Sequence, residues 1–226
     1  MNVGDNMKNI NSKELHTERL DLRIPTMEEQ HRLWEVLCIE EVNRYYFPTP
    51  DRIFIKNNLS KDNIDDLKKA RKIFIEQLTN WDLQKPFYEK KIESIKKQEN
   101  SQKFTWSIFI KDTDIVIGQI TCQPKDGEEE KIRDMGWYLD PKYQGNGYMT
   151  EAALAMLDFM FNEVEIDKIE TGVAEINPKS WKILEKYGFK YTGNSKITYF
   201  KDNEILYLKE YYITKEMYNK KVRFTT

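Results

Sequence analysis

A strand, a glycine loop and a helix follow one another between Met135 and Val164, and this succession limits the folds open to the chain more than any other stretch. Trp137, Tyr138 and Leu139 favour a pleated backbone. Asp140-Pro141 ends the ladder, since proline brings no N–H donor, and Gly145 and Gly147 permit positive φ before a helix starts. Met149, Ala153, Met156, Leu157, Met160 and Val164 then recur at helical spacing and give one apolar stripe, while Glu151, Asp158 and Asn162 fall elsewhere. The first N–H groups of a helix lack internal partners and sit at the positive end of its dipole, so the loop suits a diphosphate. A bare Gly-x-Gly serves equally well as a tight turn. A P-loop is excluded, because Tyr148 and Met149 stand where it needs Lys and then Ser or Thr. A dinucleotide fingerprint fits poorly, because Thr150 takes the place of its third small residue.

Context resolves the choice. Gln144-Gly145-Asn146-Gly147-Tyr148-Met149 resembles the Gln/Arg-x-x-Gly-x-Gly/Ala pyrophosphate loop of the GNAT superfamily of acetyl-CoA-dependent N-acetyltransferases. Asn177-Pro178-Lys179-Ser180-Trp181-Lys182-Ile183-Leu184-Glu185-Lys186-Tyr187-Gly188-Phe189 resembles the Asn-x-x-Ser-x-x-x-Leu-Glu-Lys-x-Gly-Phe segment of its Rim-type branch, the ribosomal-protein N-terminal acetyltransferases. Two motifs in this order, with a strand between them, are far more specific than either alone. The resemblance implies an α/β (α+β) fold, a mixed and mostly antiparallel central sheet flanked by helices. It also implies acetyl-CoA (coenzyme A) bound where two parallel central strands splay apart. The cofactor contacts carried over are Tyr138, Leu139, Gln144, Gly145, Asn146, Gly147, Tyr148, Met149, Thr150, Asn177 and Ser180. Met149 is a departure, since the superfamily usually has Gly or Ala there.

Acetyl transfer to an amine needs a neutral nucleophile, donors for the developing oxyanion and a proton for the departing thiolate. A free alkylammonium has a pKa of about 10.4, so a base must take or hold its proton. The resemblance implies that backbone N–H groups near Tyr138 and Leu139 hold the acyl carbonyl. Many members carry a tyrosine four residues before the Gly of the Gly-Phe pair, where this chain has Leu184. Ser180 is the hydroxyl that the Rim-type branch offers instead, with Asn177 orienting the pantetheine or the acceptor. Asp134 and Glu175 are the candidate bases, their elements bordering the expected cleft, and a solvated strand-end charge is the other reading of each. The expected acceptor is a primary amine: a protein N-terminus, a polyamine or an aminoglycoside-like molecule. The competing expectation is a non-catalytic acyl-CoA-binding module.

Composition excludes other classes. The 226 residues hold 36 Lys+Arg against 38 Asp+Glu, a formal net charge of -2, so no basic field invites nucleic acid. Cys38 and Cys122 stand alone in their segments and read as core or near-core thiols. His16 and His31 read as surface histidines, and no metal site is expected. Residues 1–12 are polar, and no apolar run is long enough for a signal peptide or a membrane span, so the expectation is a soluble, cytoplasmic protein.

Elsewhere, Leu20, Leu22 and Ile24 alternate with Arg19, Asp21 and Arg23 as in a half-buried strand. Thr26 caps an expected helix over residues 27–39, with Leu33, Trp34 and Leu37 on one face. Residues 41–50 read as a short helix entering an ordered loop, which the resemblance puts on the acceptor-pocket wall. Residues 56–102 are a charged insertion read as two helices separated near Pro86. Ile64, Leu67, Phe74, Leu78 and Trp81 form a first seam interrupted by Arg71; Tyr88, Ile92 and Ile95 begin a second. Such a seam docks either on the core or on a second copy of the chain, as a homodimer. Strands at 104–110, 115–122 and 135–139 read as an antiparallel meander, followed after a helical crossover by a parallel strand at 168–176. A helix capped by Asn177 and ended by Gly188, then a hairpin, complete a single domain over 15–214. Residues 1–14 and 215–226 are read as tails.

Overall fold

Residues 13–46, 51–60, 63–96, 103–125, 131–201 and 204–223 are described by the computed structural model, and among them eight strands form one sheet. β1 (Leu15–His16) and β2 (Leu20–Arg23) make an N-terminal hairpin. β2 pairs with β3 (Phe104–Ile110), which continues through β4 (Val116–Pro124) to β5 (Ile132–Leu139), every pair antiparallel. This is the meander that the alternating and β-branched residues predict. After the crossover, β6 (Lys168–Ala174) lies parallel to β5. The terminal hairpin of β7 (Lys190–Lys201) and β8 (Glu204–Thr214) completes the order β1-β2-β3-β4-β5-β6-β8-β7.

Helices cover both faces. α1 (Met27–Cys38) starts where its residues dictate: Thr26 Oγ1 accepts from the Glu29 N–H and the Glu29 carboxylate accepts from the Thr26 N–H, a complete capping box. Its Leu33, Val36 and Leu37 pack with Phe109, Val116 and Tyr138 on one face of the sheet. α2 (Glu40–Tyr46) adds Val42 to that cluster, while residues 47–50 of the expected loop lie outside the described residues. The insertion supplies α3 (Asp51–Lys56), α4 (Ile64–Leu78) and α5 (Trp81–Lys96). On the opposite face, α6 (Tyr148–Asn162) buries Met149, Ala153, Met156, Leu157 and Met160 against Leu20, Leu22, Ile108 and Ile120. α7 (Pro178–Lys186) buries Leu184 in the same core. Residues 215–223, read as part of a tail, form α8 (Lys215–Arg223), whose Tyr218 is buried and stacks on Phe161 with ring centroids 5.2 Å apart.

The insertion breaks elsewhere than at Pro86. Thr79 Oγ1 donates to the Ile75 carbonyl and Asn80 Oδ1 accepts from the Leu83 N–H, so Thr79-Asn80 ends one helix and caps the next. Pro86 sits inside α5, where it leaves the Asp82 carbonyl without an N–H at a cost of about 3 kcal/mol; an exposed position lets water meet that carbonyl. The insertion docks on its own domain. The His31 ring, far from a free surface histidine, lies 5.3 Å from Trp34 and 4.4 Å from Trp81, and Trp81 lies 5.9 Å from Tyr88. Trp34 Nε1 donates to the Leu78 carbonyl at 2.8 Å, and Arg71 Nη2 to that of Asn43 at 3.2 Å. Leu67, Ala70, Phe74 and Leu78 join Ile53 in a small core of their own, whereas Ile64 is exposed.

Trp34→Ala deletes a half-buried indole and its hydrogen bond, and is expected to cost about 2 kcal/mol. Calorimetry should show a Tm lower by roughly 4–8 °C, and limited proteolysis should show new cleavage confined to the insertion. Unchanged values would remove this ring cluster as the anchor.

Candidate functional site

Parallel pairing of β5 with β6 is short: Ile132 faces Lys168 and Arg133 faces Ile169, and there it ends. Beyond that row β5 stays with β4 as far as Leu139, and β6 stays with β8 as far as Ala174. The wedge between them is part of a cleft of about 1120 Å³. At its apex the Thr171 hydroxyl donates to the Met135 carbonyl at 2.8 Å, and on the other side of β5 the Thr121 hydroxyl donates to the Gly136 carbonyl at 3.2 Å.

At the wide end the chain turns through one 3₁₀ turn, Pro141–Tyr143, into the glycine loop. Asp140 is fully buried; its Oδ1 accepts from the Lys142 N–H at 3.0 Å and its Oδ2 pairs with Arg32 of α1. Gln144 Nε2 donates to the Leu139 carbonyl, and Asn146 Nδ2 to those of Tyr143 and Gln144, so the loop is braced from within. Gly145 and Gly147 hold φ of 81° and 79°, a left-handed backbone that side chains with a Cβ disfavour. Gly147 caps α6 with no side-chain bond. Among the described residues, the N–H groups of residues 145–150 have no protein acceptor. That row of donors at a helix N-terminus fits the diphosphate of coenzyme A.

An outer clamp, built from residues far apart in sequence, fixes this loop. Glu151 accepts from the Thr17 hydroxyl at 2.6 Å, the Arg19 N–H at 2.9 Å and Arg19 Nε at 2.7 Å. Arg19 Nη1 also donates to the Asn146 carbonyl at 3.0 Å, and its guanidinium lies over the Tyr148 ring at 4.8 Å. Hydrogen bonds from Thr17 and Arg19 outweigh burial and hold the Glu151 carboxyl below its ordinary range. In the sequence, Arg19 reads only as the charged face of a strand, and no local signal points to this role.

Asn177 occupies the N-cap position of α7, but its side chain makes no capping bond, and both it and Ser180 line the cleft. Lys179, between them, donates to Gln144 Oε1 at 2.9 Å and to Glu41 Oε1 at 3.2 Å, tying loop, α7 and α2 together. Asp134 also lines the cleft, and its Oδ1 accepts from the Met135 N–H at 2.8 Å. Burial pushes its carboxyl above the ordinary aspartate value, against the pull of the Thr171 hydroxyl. Tyr138, Leu139, Gln144, Gly145, Gly147, Tyr148, Met149 and Thr150 stand on the same walls. Two expected residues do not. Glu175 is exposed on the turn after β6 and meets its neighbours through its backbone, its carbonyl accepting from Trp181 Nε1; Asn146 braces the loop from outside the lining. Leu184 is buried, and the Tyr187 hydroxyl is spent on the Thr150 carbonyl at 2.6 Å. Burial raises the Cys122 thiol to about 12 and the Cys38 thiol to about 11, so neither is a ready nucleophile. Among the described residues no cluster of His, Cys, Asp and Glu could hold a metal, and no helix is long and apolar enough to cross a membrane.

Comparison with known proteins agrees with this geometry. A model described as the acetyltransferase (GNAT) domain matches residues 19–190. The Uncharacterized N-acetyltransferase YnaD of Bacillus subtilis is 33% identical over 116 residues, which are 51% of this chain and 65% of that protein, so the match falls short of that relative's full length. The Uncharacterized N-acetyltransferase p20 of Bacillus licheniformis is 29% identical over 180 residues, 79% of this chain and 83% of that one. Among solved structures, the ribosomal-protein-S5-alanine acetyltransferase from Vibrio fischeri has a TM-score of 0.64 at 15% identity, covering 91% of this chain and 98% of its own; this likeness concerns the fold. With a domain match over most of its length, a splayed central sheet and a donor-lined glycine loop, the chain belongs to the GNAT acetyltransferase family.

Proposed function

We propose that the chain transfers an acetyl group from acetyl-CoA to a primary amine by direct attack in a ternary complex. One observation carries this reading: the wedge between β5 and β6 and the unpartnered N–H groups of residues 145 and 147–150 border one continuous cleft. A diphosphate seated on the loop would thus lead an attached thioester to the strand ends at Tyr138 and Leu139. Bound acetyl-CoA supplies an activated acyl carbon, to which the amine nitrogen bonds as the carbon–sulfur bond breaks; the nitrogen loses a proton and the thiolate gains one.

Residues of the chain manage the charges and protons. Backbone N–H groups around Tyr138 and Leu139 are assigned to the developing oxyanion. Ser180 is assigned to deliver the proton to sulfur, with Asn177, its amide free of any capping bond, orienting the pantetheine or the acceptor. Asp134, four residues before Tyr138 on β5, is assigned as base acting through intervening water, since a carboxylate whose pKa burial has raised accepts protons better than a solvated one. A non-catalytic acyl-CoA-binding module is the second reading, and buried Leu184 favours it by offering the cleft no phenol. The acceptor is a protein N-terminus, a polyamine or an aminoglycoside-like amine.

Two substitutions test the assignment. Gly147→Val forces a β-branched residue into a left-handed backbone with its Cβ 3.5 Å from Arg19 Nη2, and is expected to weaken CoA binding by about tenfold or more while circular dichroism stays native. Unchanged affinity by titration calorimetry would remove the loop from the site. Ser180→Ala is expected to lower kcat by about two orders of magnitude with little change in acetyl-CoA affinity, as for a group acting mainly in the transition state. Full turnover would return Ser180 to an ordinary helix residue.

A further inference from the structure

Away from the glycine loop the cleft has a polar floor and a helical roof. Gln119, Thr121 and Gln123 of β4 are register partners of Tyr138, Gly136 and Asp134 of β5, and all six line the cleft. Phe104 pairs with Cys122, so the next row sets Lys103 beside Gln123 at the end of the floor farthest from the loop. α5 closes the cleft from the other side with Phe87, Tyr88 and Lys91. Lys103 and Lys91 therefore bring two cations to the acceptor end.

Neither lysine has a hydrogen-bonding or acidic partner among the described residues, although lysines elsewhere find one, as Lys13 does in Glu163, Lys125 in Glu170 and Lys179 in Glu41. Asp134 is the carboxylate on this part of the floor, and its Oδ1 is engaged by the Met135 N–H. Burial, with the charge of Lys103 behind it, pulls the Lys91 ammonium down to about 8. An ammonium taken from water without a counter-charge is costly, and a ligand anion would relieve that cost.

We propose that Lys91 and Lys103 form an anion-reading subsite, and that the acceptor amine belongs to a peptide N-terminus with carboxylate side chains at about its third and fourth residues. The inference rests on the transferase reading above. From the Tyr138 row to the Asp134 row the floor runs roughly 13 Å. An extended peptide spans that with about four residues, whereas a free amino acid is too short to bridge both ends. A polyamine or an aminoglycoside would carry further cations toward two lysines, and like charges brought together at an interface are rejected.

The test is acetylation of Ser-Ala-Glu-Glu, Ser-Ala-Gln-Gln, Ser-Ala-Lys-Lys, free glutamate and spermidine by the full chain, followed by thiol release. The acidic peptide should exceed the neutral one in kcat/KM by about tenfold, with the other three slower still. Lys91→Met combined with Lys103→Met should equalise the acidic and neutral peptides while CoA affinity, read by calorimetry, stays unchanged. Lys103→Glu, at an exposed position, should lower the acidic peptide alone, and it probes the same subsite without touching the roof. Equal rates for the three peptides, or a preference for spermidine, would overturn the subsite and leave the transferase reading standing. A preference that survives these substitutions would overturn the assignment to these lysines. CoA binding with no amine acetylated would overturn the transferase reading and the subsite together.

Discussion

The pairing between β5 and β6 gives way because each strand is held more extensively on its other side. β5 follows β4 along its whole length to Leu139, and β6 follows β8 to Ala174, so the right-handed twist of each strand pair carries the two apart once Arg133 and Ile169 have met. A wedge results whose edges are main chain rather than side chain. The Thr171 hydroxyl closes its apex by taking over one carbonyl of β5, and the rest of the gap stays open to a guest. The glycine loop matters because it begins where this wedge is widest. Without the parting of the strands, its free N–H groups would face solvent and no more.

The other determinant is the insertion, which meets the domain through rings more than through aliphatic packing. Its core of Ile53, Leu67, Ala70, Phe74 and Leu78 is separate from the two clusters that line the sheet. His31, Trp34, Trp81 and Tyr88 form the joint, offset and tilted as aromatic quadrupoles prefer. α4 contacts β7, and α5 lines the cleft with Phe87, Tyr88 and Lys91. Under the proposed function, helices outside the central strands would set acceptor shape and charge.

What can be read from the sequence is what neighbouring residues decide among themselves. Thr26 with Glu29, Gly145 with Gly147, and the motif from Asn177 to Phe189 each carry their meaning within a few positions, and the cap, the loop and the helix form accordingly. Pro86 misleads because a proline usually marks a boundary, while the stronger local signal is Thr79-Asn80. α8 escapes a reading of the sequence because its short, polar stretch owes its place to one buried tyrosine. Glu175 attracts notice for standing near a strand end, yet the turn after β6 directs it outward, and only the fold reveals that. Contacts between distant positions leave no trace in the sequence: Thr17 and Arg19 with Glu151, Arg32 with Asp140, and Lys179 with Glu41.

Glu151 would by itself be a poor neighbour for a diphosphate, a carboxylate in the first turn of the helix whose N-terminus is meant to attract anions. Arg19 cancels it, meeting that charge through backbone and guanidinium together. The negative charge in that first turn is thereby offset, leaving the backbone dipoles, whose strength does not depend on pH, free to attract an anion. The N-terminal hairpin thus acts as an electrostatic counterweight: without it, the same glycine loop would present its guest with an exposed negative charge.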